Sequence, residues 1–187
     1  MVQMINIVIL AAGIGSRLGK LTKEKPKGLV EINNEPLFDI NLKTLDIIKN
    51  KRIRVITGHK SNLFNKYNVK KIKNKNFRFN GILDSFILGL NKIENFNDSL
   101  FLYSDIIYDE DVILNLLKTN HEFTIPILND WKALWKKRFN NPLCDLETCK
   151  TNNIGQITEI GKKPKNFHDI NGQFMGILHI KKNVSLN

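Results

Sequence analysis

Apolar positions along the chain follow two patterns. Three runs rich in branched aliphatic and aromatic residues occupy positions 5–10, 53–58 and 100–103. Strands that are covered on both faces of a parallel sheet have runs of this kind, so we expect three core strands. Between the first two runs, apolar residues recur at helical spacing at Leu37, Ile40, Leu45 and Ile48. This order of strand, helix and strand predicts a right-handed parallel crossover.

The rest of the pattern extends this α/β arrangement. Further helices are expected at positions 61–66, at 80–90 and after a capping Asp109, and further strands within 69–79, 121–128, 156–161 and 173–180. The core-facing stripes of the two longer helices are expected at Ile82, Phe86, Leu90 and Ile93, and at Val112, Ile113, Leu116 and Leu117. The predicted fold is a Rossmann-like, doubly wound, mostly parallel mixed sheet with an antiparallel extension near the C-terminus. No repeat or linker interrupts the sequence, so residues 1–187 are interpreted as a single domain.

Length and composition limit the class of protein. A chain of 187 residues that is 42% hydrophobic can bury one substantial core. No apolar run approaches the ~18 residues needed to cross a bilayer, and the N-terminus leads directly into the first strand. We therefore expect a cytoplasmic protein that does not bind membranes. Cys144 and Cys149 are expected to be reduced thiols rather than a disulfide or a zinc site.

The formal net charge of +11 raises the question of nucleic-acid binding. The lysines are scattered among asparagines and isoleucines, and only positions 66–75 form a dense cluster. This distribution indicates a compositional bias rather than a nucleic-acid interface. A positive field also favours anionic nucleotides and phosphates, which are the partners we expect. The oligomeric state is left open by the sequence.

The first apolar run ends in a glycine-rich loop with basic residues beyond it. Gly13 and Gly15 allow the backbone to turn sharply and to direct N–H groups at an anion. Arg17 and Lys27 supply further donors and positive charge for phosphate. The spacing fits neither a Walker loop nor a dinucleotide fingerprint. The two glycines alone are also consistent with a tight turn after a strand, whereas the added basic residues favour a polyphosphate site.

The longer pattern is more specific. Leu-Ala-Ala-Gly-x-Gly-Ser-Arg-Leu, followed by Lys-Pro-Lys-Gly-Leu, resembles the signature of nucleotidyltransferases that activate sugar phosphates and phosphocholine-like compounds. The resemblance implies a fold of the nucleotide-diphospho-sugar transferase type, and it implies that Arg17 and Lys27 act on the phosphates and the departing pyrophosphate. The nucleotide-binding residues that it implies are Leu10, Ala11, Ala12, Gly13, Gly15, Ser16, Arg17, Lys27, Gly58, Asn80, Ser85 and Ser104. For Asn80 and Ser85, helix capping is an equally good interpretation. His59 follows Gly58, where a ligand contact or an ordinary loop position are both open.

Asp105 is the candidate metal ligand. It follows an apolar strand, and the carboxyl ends of parallel strands form the ligand-binding edge of an open sheet. Mg²⁺ binds one or two carboxylates together with phosphate oxygens and waters. The resemblance places Ser104-Asp105 at the metal-binding position, so Mg²⁺ is the expected cofactor. A turn aspartate is the alternative.

The second half of the chain carries Asp-Trp at positions 130–131, Leu-Trp at 134–135, Asn-Pro-Leu at 141–143 and Gly-Lys-Lys-Pro at 161–164. This pattern resembles that of bacterial phosphocholine cytidylyltransferases. The acceptor-binding candidates implied by this branch are Asp130, Trp131, Trp135, Arg138, Asp145, Glu147, Lys162 and Lys163. The two tryptophans are four residues apart and would share one helix face. Their rings are expected either to bind a trimethylammonium group by cation–π attraction or to form part of a core or lid.

The function predicted from these residues and resemblances is transfer of a nucleotide, CMP from CTP, to a small phosphorylated acceptor such as phosphocholine, with release of pyrophosphate. The alternatives are a sugar 1-phosphate acceptor, or a catalytically weak nucleotide-binding protein. Members of the family usually continue for some tens of residues and carry a second acidic metal ligand there. The domain is therefore expected to be truncated relative to them.

Overall fold

The computed structural model describes residues 3–79, 81–93 and 97–182. In chain order, the strands are β1 (Ile5–Ala11), β2 (Glu31–Ile32), β3 (Glu35–Pro36), β4 (Lys51–Thr57), β5 (Lys70–Lys73), β6 (Ser99–Tyr103), β7 (Phe123–Thr124), β8 (Ile127–Leu128), β9 (Cys149–Thr151), β10 (Ile157–Ile160), β11 (Gln173–Phe174) and β12 (Ile177–Ile180). The helices are α1 (Leu37–Thr44), α2 (Ile82–Leu90), α3 (Glu110–Lys118) and α4 (Trp131–Arg138). Short 3-10 segments cover Ser16–Thr22, Lys27–Leu29, Leu45–Ile47, Ser61–Lys66, Pro142–Cys144 and Phe167–Asp169.

The chain divides into two compact units. The first comprises Met1–Thr124 and Gly176–Asn187, and the second comprises Ile125–Met175. The first contains a six-stranded sheet in the order β5-β4-β1-β6-β12-β7. Strands β5, β4, β1 and β6 are parallel, and β12 is antiparallel to both β6 and β7. The predicted mostly parallel sheet with an antiparallel extension is confirmed. The single-domain assignment stays a prediction.

Strand β1 lies at the centre of the sheet, and all seven of its residues are buried. Ile9 pairs with Val55 on one side and with Leu102 on the other, which explains the continuous apolar run. On one face, Val8 belongs to a core cluster against which residues of α2 pack. Gly89 of α2 is necessary there, because an added Cβ would lie 2.6 Å from Val8 Cγ1.

The helix predictions are confirmed with three corrections. Ile82 is 50% exposed rather than core-facing, whereas Phe86, Leu90 and Ile93 pack against the core as expected. Proline suits the first turn of a helix, but Pro36 precedes α1 as its N-cap residue. Asp109 occupies the N-cap position of α3, but within the described part of the chain its side chain makes no capping hydrogen bond. The predicted stripe of α3 is present, with Ile113 and Leu116 buried.

Two segments predicted as single strands are each divided in two. Residues 121–128 form β7 and β8, which pair with β12 and β11 respectively. Pro126 lies between them and has no N–H to donate to a ladder. Residues 173–180 form β11 and β12, separated by Gly176 with φ +79°. β12 therefore belongs to the main sheet, whereas β11 pairs with β8.

The second unit has its own small core and two short antiparallel pairs, β9–β10 and β8–β11. Trp131, Leu146 and Ile170 are buried together at its centre. Cys144 is an exposed free thiol and Cys149 is a buried one, so the predicted thiols are confirmed. Burial raises the pKa of the Cys149 thiol. Among residues 3–79, 81–93 and 97–182, we find no helix with the length and apolar character of a membrane span.

Candidate active site

The glycine-rich loop connects β1 to the 3-10 segment Ser16–Thr22. Gly15 has φ +70°, a left-handed conformation that favours glycine. An added Cβ at this position would also lie 3.0 Å from Thr22 Cγ2 and 3.2 Å from Lys27 Cβ. The glycine therefore permits both the turn and the close approach of the loop to Thr22 and Lys27.

The predicted nucleotide residues divide by exposure. Leu10, Ala11 and Ala12 are buried where β1 leads into the loop. Gly13, Ser16 and Arg17 are exposed in the loop and its 3-10 segment. A cavity of about 430 Å³ opens beside this segment and is lined by Ser16, Gly19, Lys20, Thr22, Lys23 and His59, among others.

Lys27 and Asp105 form an ion pair. Lys27 begins the 3-10 segment Lys27–Leu29, and Asp105 follows β6, so the pair joins the basic motif to the end of a core strand. The next residue, Gly28, packs so tightly on Ser104 that an added Cβ would lie 2.8 Å from Ser104 Cβ. The Ser104 N–H donates to the Leu10 carbonyl at 3.2 Å. Residues of the loop, the Pro-Lys-Gly motif and β6 thus meet at one edge of the sheet, as predicted.

The remaining predicted nucleotide-binding residues are Gly58, Ser85 and Asn80. Gly58 lies at the end of β4, where an added Cβ would be 2.5 Å from the Ala12 carbonyl oxygen. Ser85 is buried within α2, and its Oγ accepts a hydrogen bond from Asn74 Nδ2 at 3.1 Å. Ser85 is not the helix cap, because that position is held by Gly81, whose N–H donates to Asp84 at 3.1 Å. Asn80 lies outside the described residues.

Asp105 carries a carboxylate, a side chain of the type that Mg²⁺ accepts as a ligand. Among the described residues there is no group of three or more His, Cys, Asp or Glu side chains placed to hold a metal ion. Mg²⁺ is commonly bound by one or two carboxylates with substrate phosphates and waters rather than by a complete protein cage. A single carboxylate beside the glycine-rich loop fits that donor set.

The acceptor candidates of α4 are engaged with their own unit. Trp131 is 5% exposed, and its ring lies 5.9 Å from that of Phe167. Trp135 Nε1 donates to Asp145 Oδ2 at 3.2 Å, and the Arg138 guanidinium lies 5.0 Å from the Trp135 ring centroid. Both tryptophans pack against one small core, so the predicted shared face is confirmed. The sequence left open whether these rings bind a ligand or form part of a core. Trp131 forms part of a core.

The remaining acceptor candidates lie on loops of the second unit. Asp130 is exposed at the N-cap of α4, and Glu147 is exposed after the 3-10 segment Pro142–Cys144. Lys162 Nζ pairs with Glu159 at 2.8 Å, and its hydrogen bond lowers the pKa of that carboxyl. Lys163 Nζ donates to the Cys144 carbonyl at 2.6 Å. Both lysines therefore already have a partner within the chain.

Two buried polar residues of the site region, Thr22 and Asn74, were not selected from the sequence, and the role of His59 was left open between a ligand contact and a loop position. Thr22 is 2% exposed, and its hydroxyl donates to the Gly15 carbonyl at 2.8 Å. His59 contacts the Thr22 carbonyl through Nε2 at 2.9 Å. Asn74 is buried and links the Thr57 carbonyl to Ser85. The position of His59 at the end of a predicted parallel strand is the one signal among these three, because such ends form the ligand-binding edge.

Comparison with known proteins places this geometry in a family. Residues 7–143 match the model of the MobA-like NTP transferase domain. The chain belongs to this family. Its membership confirms the nucleotidyltransferase resemblance that the motifs at positions 8–29 indicated.

Several relatives of this chain are cytidylyltransferases, and one is a UTP–glucose-1-phosphate uridylyltransferase of Haloferax volcanii, 26% identical over 166 residues and covering 84% of this chain and 65% of the relative. The chain is 35% identical over 181 residues to CTP:phosphoglutamine cytidylyltransferase of Campylobacter jejuni, covering 92% of this chain and 71% of the relative. It is 28% identical over 124 residues to choline-phosphate cytidylyltransferase of Haemophilus influenzae, covering 64% and 52%. The solved structure of CTP:phosphocholine cytidylyltransferase from Streptococcus pneumoniae superposes with a TM-score of 0.65 at 19% identity, covering 95% of this chain and 71% of the other. This last likeness establishes the nucleotidyltransferase fold.

Proposed function

We propose that the protein transfers CMP from CTP to a small phosphorylated acceptor and releases pyrophosphate. The observation that carries the proposal is the meeting of Lys27 and Asp105 beside the Gly15 turn, at the carboxyl edge of the parallel strands. Family membership supports nucleotidyl transfer, and the cytidylyltransferase relatives support CTP as the donor.

The reaction requires alignment and charge neutralisation rather than a protein nucleophile. An oxygen of the acceptor phosphate attacks the α-phosphorus of CTP, and the bond from that phosphorus to the oxygen of the β-phosphate breaks. Because the acceptor phosphate is already an anionic nucleophile, no covalent intermediate with the protein is needed. Arg17 and Lys27 neutralise the charge on the phosphates, and the loop backbone holds them in line.

Asp105 is the residue that would hold Mg²⁺, together with oxygens of the triphosphate. When bound there, such an ion would supply positive charge to the phosphates and to the leaving pyrophosphate. In the structure the carboxylate is neutralised by the Lys27 ammonium. Lys27 is thus placed to move between the carboxylate and the phosphates.

The acceptor is proposed to be a phosphorylated compound of the glutamine type in preference to phosphocholine. A trimethylammonium group is recognised by open aromatic faces. Trp131 is enclosed in the second unit, and Arg138 lies over Trp135, so neither ring supports such a cage. The 35% identical relative is named for phosphoglutamine, which makes this the first acceptor to test.

The test is a matrix of pyrophosphate-release assays. CTP, UTP, ATP and GTP are each combined with phosphoglutamine, phosphocholine and glucose 1-phosphate. We expect release with CTP and phosphoglutamine, and its loss in Lys27→Met but not in the control Lys49→Met, an exposed lysine of the loop before β4. Preference for glucose 1-phosphate would select the sugar-phosphate alternative. CTP binding without turnover of any acceptor would overturn the transferase proposal in favour of a nucleotide-binding role.

A further inference from the structure

The end of β4 is tied directly to the exit of β1. The backbone N–H of His59 donates to the Ala12 carbonyl at 3.1 Å. The preceding Gly58 lies so close to that carbonyl that no side chain fits between them, since an added Cβ would be 2.5 Å from the oxygen. His59 is therefore held beside the glycine-rich loop by main-chain contacts that do not depend on its side chain.

The imidazole of His59 makes a second contact, to the far end of the loop. Its Nε2 lies 2.9 Å from the Thr22 carbonyl oxygen. A carbonyl oxygen accepts hydrogen bonds and cannot donate them, so Nε2 carries the proton in this contact. His59 thus links the start of the loop, through its main chain, to the end of the 3-10 segment, through its side chain.

Thr22 carries this link to the turn itself. Its side-chain hydroxyl donates to the Gly15 carbonyl at 2.8 Å and lies 3.4 Å from the Gly19 carbonyl. Thr22 is almost fully buried, so water does not readily replace these bonds. Both glycines have positive φ and would otherwise have many accessible conformations. The contact from His59 to Thr22 and those from Thr22 to Gly15 and Gly19 restrict the loop at these two glycines.

We propose that His59 is a positioning residue for the triphosphate: through Thr22 it holds the glycine-rich loop in the conformation that binds nucleotide. The proposal rests on the proposed function, and it adds to the site a residue whose side chain contacts the loop rather than the reacting atoms. Its physical basis is preorganisation, because a loop ordered before binding does not have to lose that conformational freedom when the ligand arrives.

The first test compares His59→Ala with His59→Gln. Alanine removes the donor, whereas the glutamine side-chain amide places an N–H where Nε2 lies. We expect the Kd for CTP, measured by calorimetry, to rise about tenfold in His59→Ala, the effect of losing one well-placed hydrogen bond. His59→Gln should stay within about twofold of the wild type on the same physical grounds. The KM for the acceptor should be unchanged in both variants, and the exposed His121→Ala serves as the matched control.

The second test is independent of nucleotide. Hydrogen–deuterium exchange of the loop amides, positions 12–22, should be faster in His59→Ala and in Thr22→Val than in the wild type, and unchanged in His121→Ala. Thr22→Ser, which keeps the hydroxyl, should show loop amides that exchange as slowly as those of the wild type. Failure of the wild type to bind CTP would overturn the proposed function, and the exchange result would still decide whether His59 orders the loop.

Two outcomes would overturn the positioning role. One is unchanged CTP affinity and unchanged loop exchange in His59→Ala. The other is a His59→Gln variant as weak as His59→Ala with an altered pH profile of kcat/KM, which would mean that the charge of the imidazole acts on the ligand itself. A profile for His59→Gln that superposes on that of the wild type supports the positioning role.

Discussion

The Lys27 ammonium is paired with the Asp105 carboxylate, so the proposed phosphate ligand and the proposed metal ligand neutralise each other. Each is only partly exposed, and each lies on a segment fixed by close packing, since Gly28 rests on Ser104. Binding of a polyphosphate with its metal ion would separate this pair, because Lys27 would then contact phosphate and Asp105 would contact the metal ion. Under the proposed function, the pair would couple the binding of nucleotide to the binding of metal.

Replacing Asp105 by Asn should remove metal-dependent turnover while leaving the fold intact, because the two side chains have nearly the same shape. We expect pyrophosphate release to be lost across a titration of Mg²⁺, with an unchanged melting temperature. Asp109→Asn is the matched control, since it carries the same change four residues further along, at an exposed position. Wild-type rates in Asp105→Asn at limiting Mg²⁺ would identify Asp105 as a turn residue.

Replacing Gly28 by Ala should destabilise the protein. The new Cβ would lie 2.8 Å from Ser104 Cβ and 2.9 Å from its Oγ, so the Pro-Lys-Gly segment must shift. We expect a loss of about 1–3 kcal/mol in the free energy of unfolding, together with weaker CTP binding as Lys27 moves. Urea denaturation measures the first and calorimetry the second.

The double variant Gly28→Ala/Ser104→Gly tests the stated cause, because removing the Ser104 side chain should recover part of the lost stability. Gly13→Ala is the control for stability, since among the described residues nothing lies within 4 Å of a Cβ there. Equal stability of Gly28→Ala and the wild type would contradict the packing argument.

The basic end of α4 should affect the acceptor and not the nucleotide. If Arg138 binds the acceptor phosphate, Arg138→Ala should raise the acceptor KM about tenfold, as expected for a lost charged hydrogen bond, and leave the Kd for CTP unchanged. Lys137→Ala, the exposed neighbour on the same helix, is the control. Unchanged acceptor kinetics would exclude Arg138 from the acceptor site. Trp131→Ala is unsuitable as a probe, because loss of this buried ring should cost about 3–5 kcal/mol of stability.

Acidification should weaken the fold through His179 of β12. Burial lowers the pKa of this imidazole, and the nearby Lys181 lowers it further, whereas Asp98, 3.5 Å from Nε2, opposes the shift. Because the unfolded chain then binds the proton more tightly than the native state, the free energy of unfolding should fall as the pH drops below about 6.5. Urea denaturation at pH 7.5 and pH 5.5 measures this.

His179→Gln should reduce the pH dependence between these two values, whereas His121→Gln at an exposed position should not. An identical pH dependence in His179→Gln and the wild type would exclude this histidine as its source.

The sequence predicts those parts of the candidate site that lie in one short segment directly after a strand. The Gly13–Gly15 turn and Asp105 at the end of β6 each follow a buried apolar strand, so the pattern alone places them at the sheet edge. The contact of His59 with Thr22 joins residues distant in the chain, and side-chain geometry rather than spacing determines it. Likewise, the tryptophan spacing predicted a shared face, but only the packing of the second unit places Trp131 inside its core.

The sequence misplaces strand boundaries where a proline or a left-handed glycine interrupts a segment of alternating apolar residues. Pro126 and Gly176 interrupt the two segments that were predicted as continuous strands, the first by lacking an N–H and the second by its positive φ. Ile82 was assigned to the core by helical spacing, yet it lies in the first turn of α2, where the helix has not reached the buried surface.

The arrangement of β7 and β12 has a consequence for how such an enzyme diverges. These strands are neighbours, with Thr124 opposite His179, and the chain between them builds the whole second unit before it returns to the sheet. This segment leaves the sheet after β7 and returns to it at β12, so its two ends lie side by side. Its length and composition can change while the register of the sheet is conserved. If this unit selects the acceptor, changes confined to this one segment would alter the substrate preference and leave the glycine-rich loop unchanged.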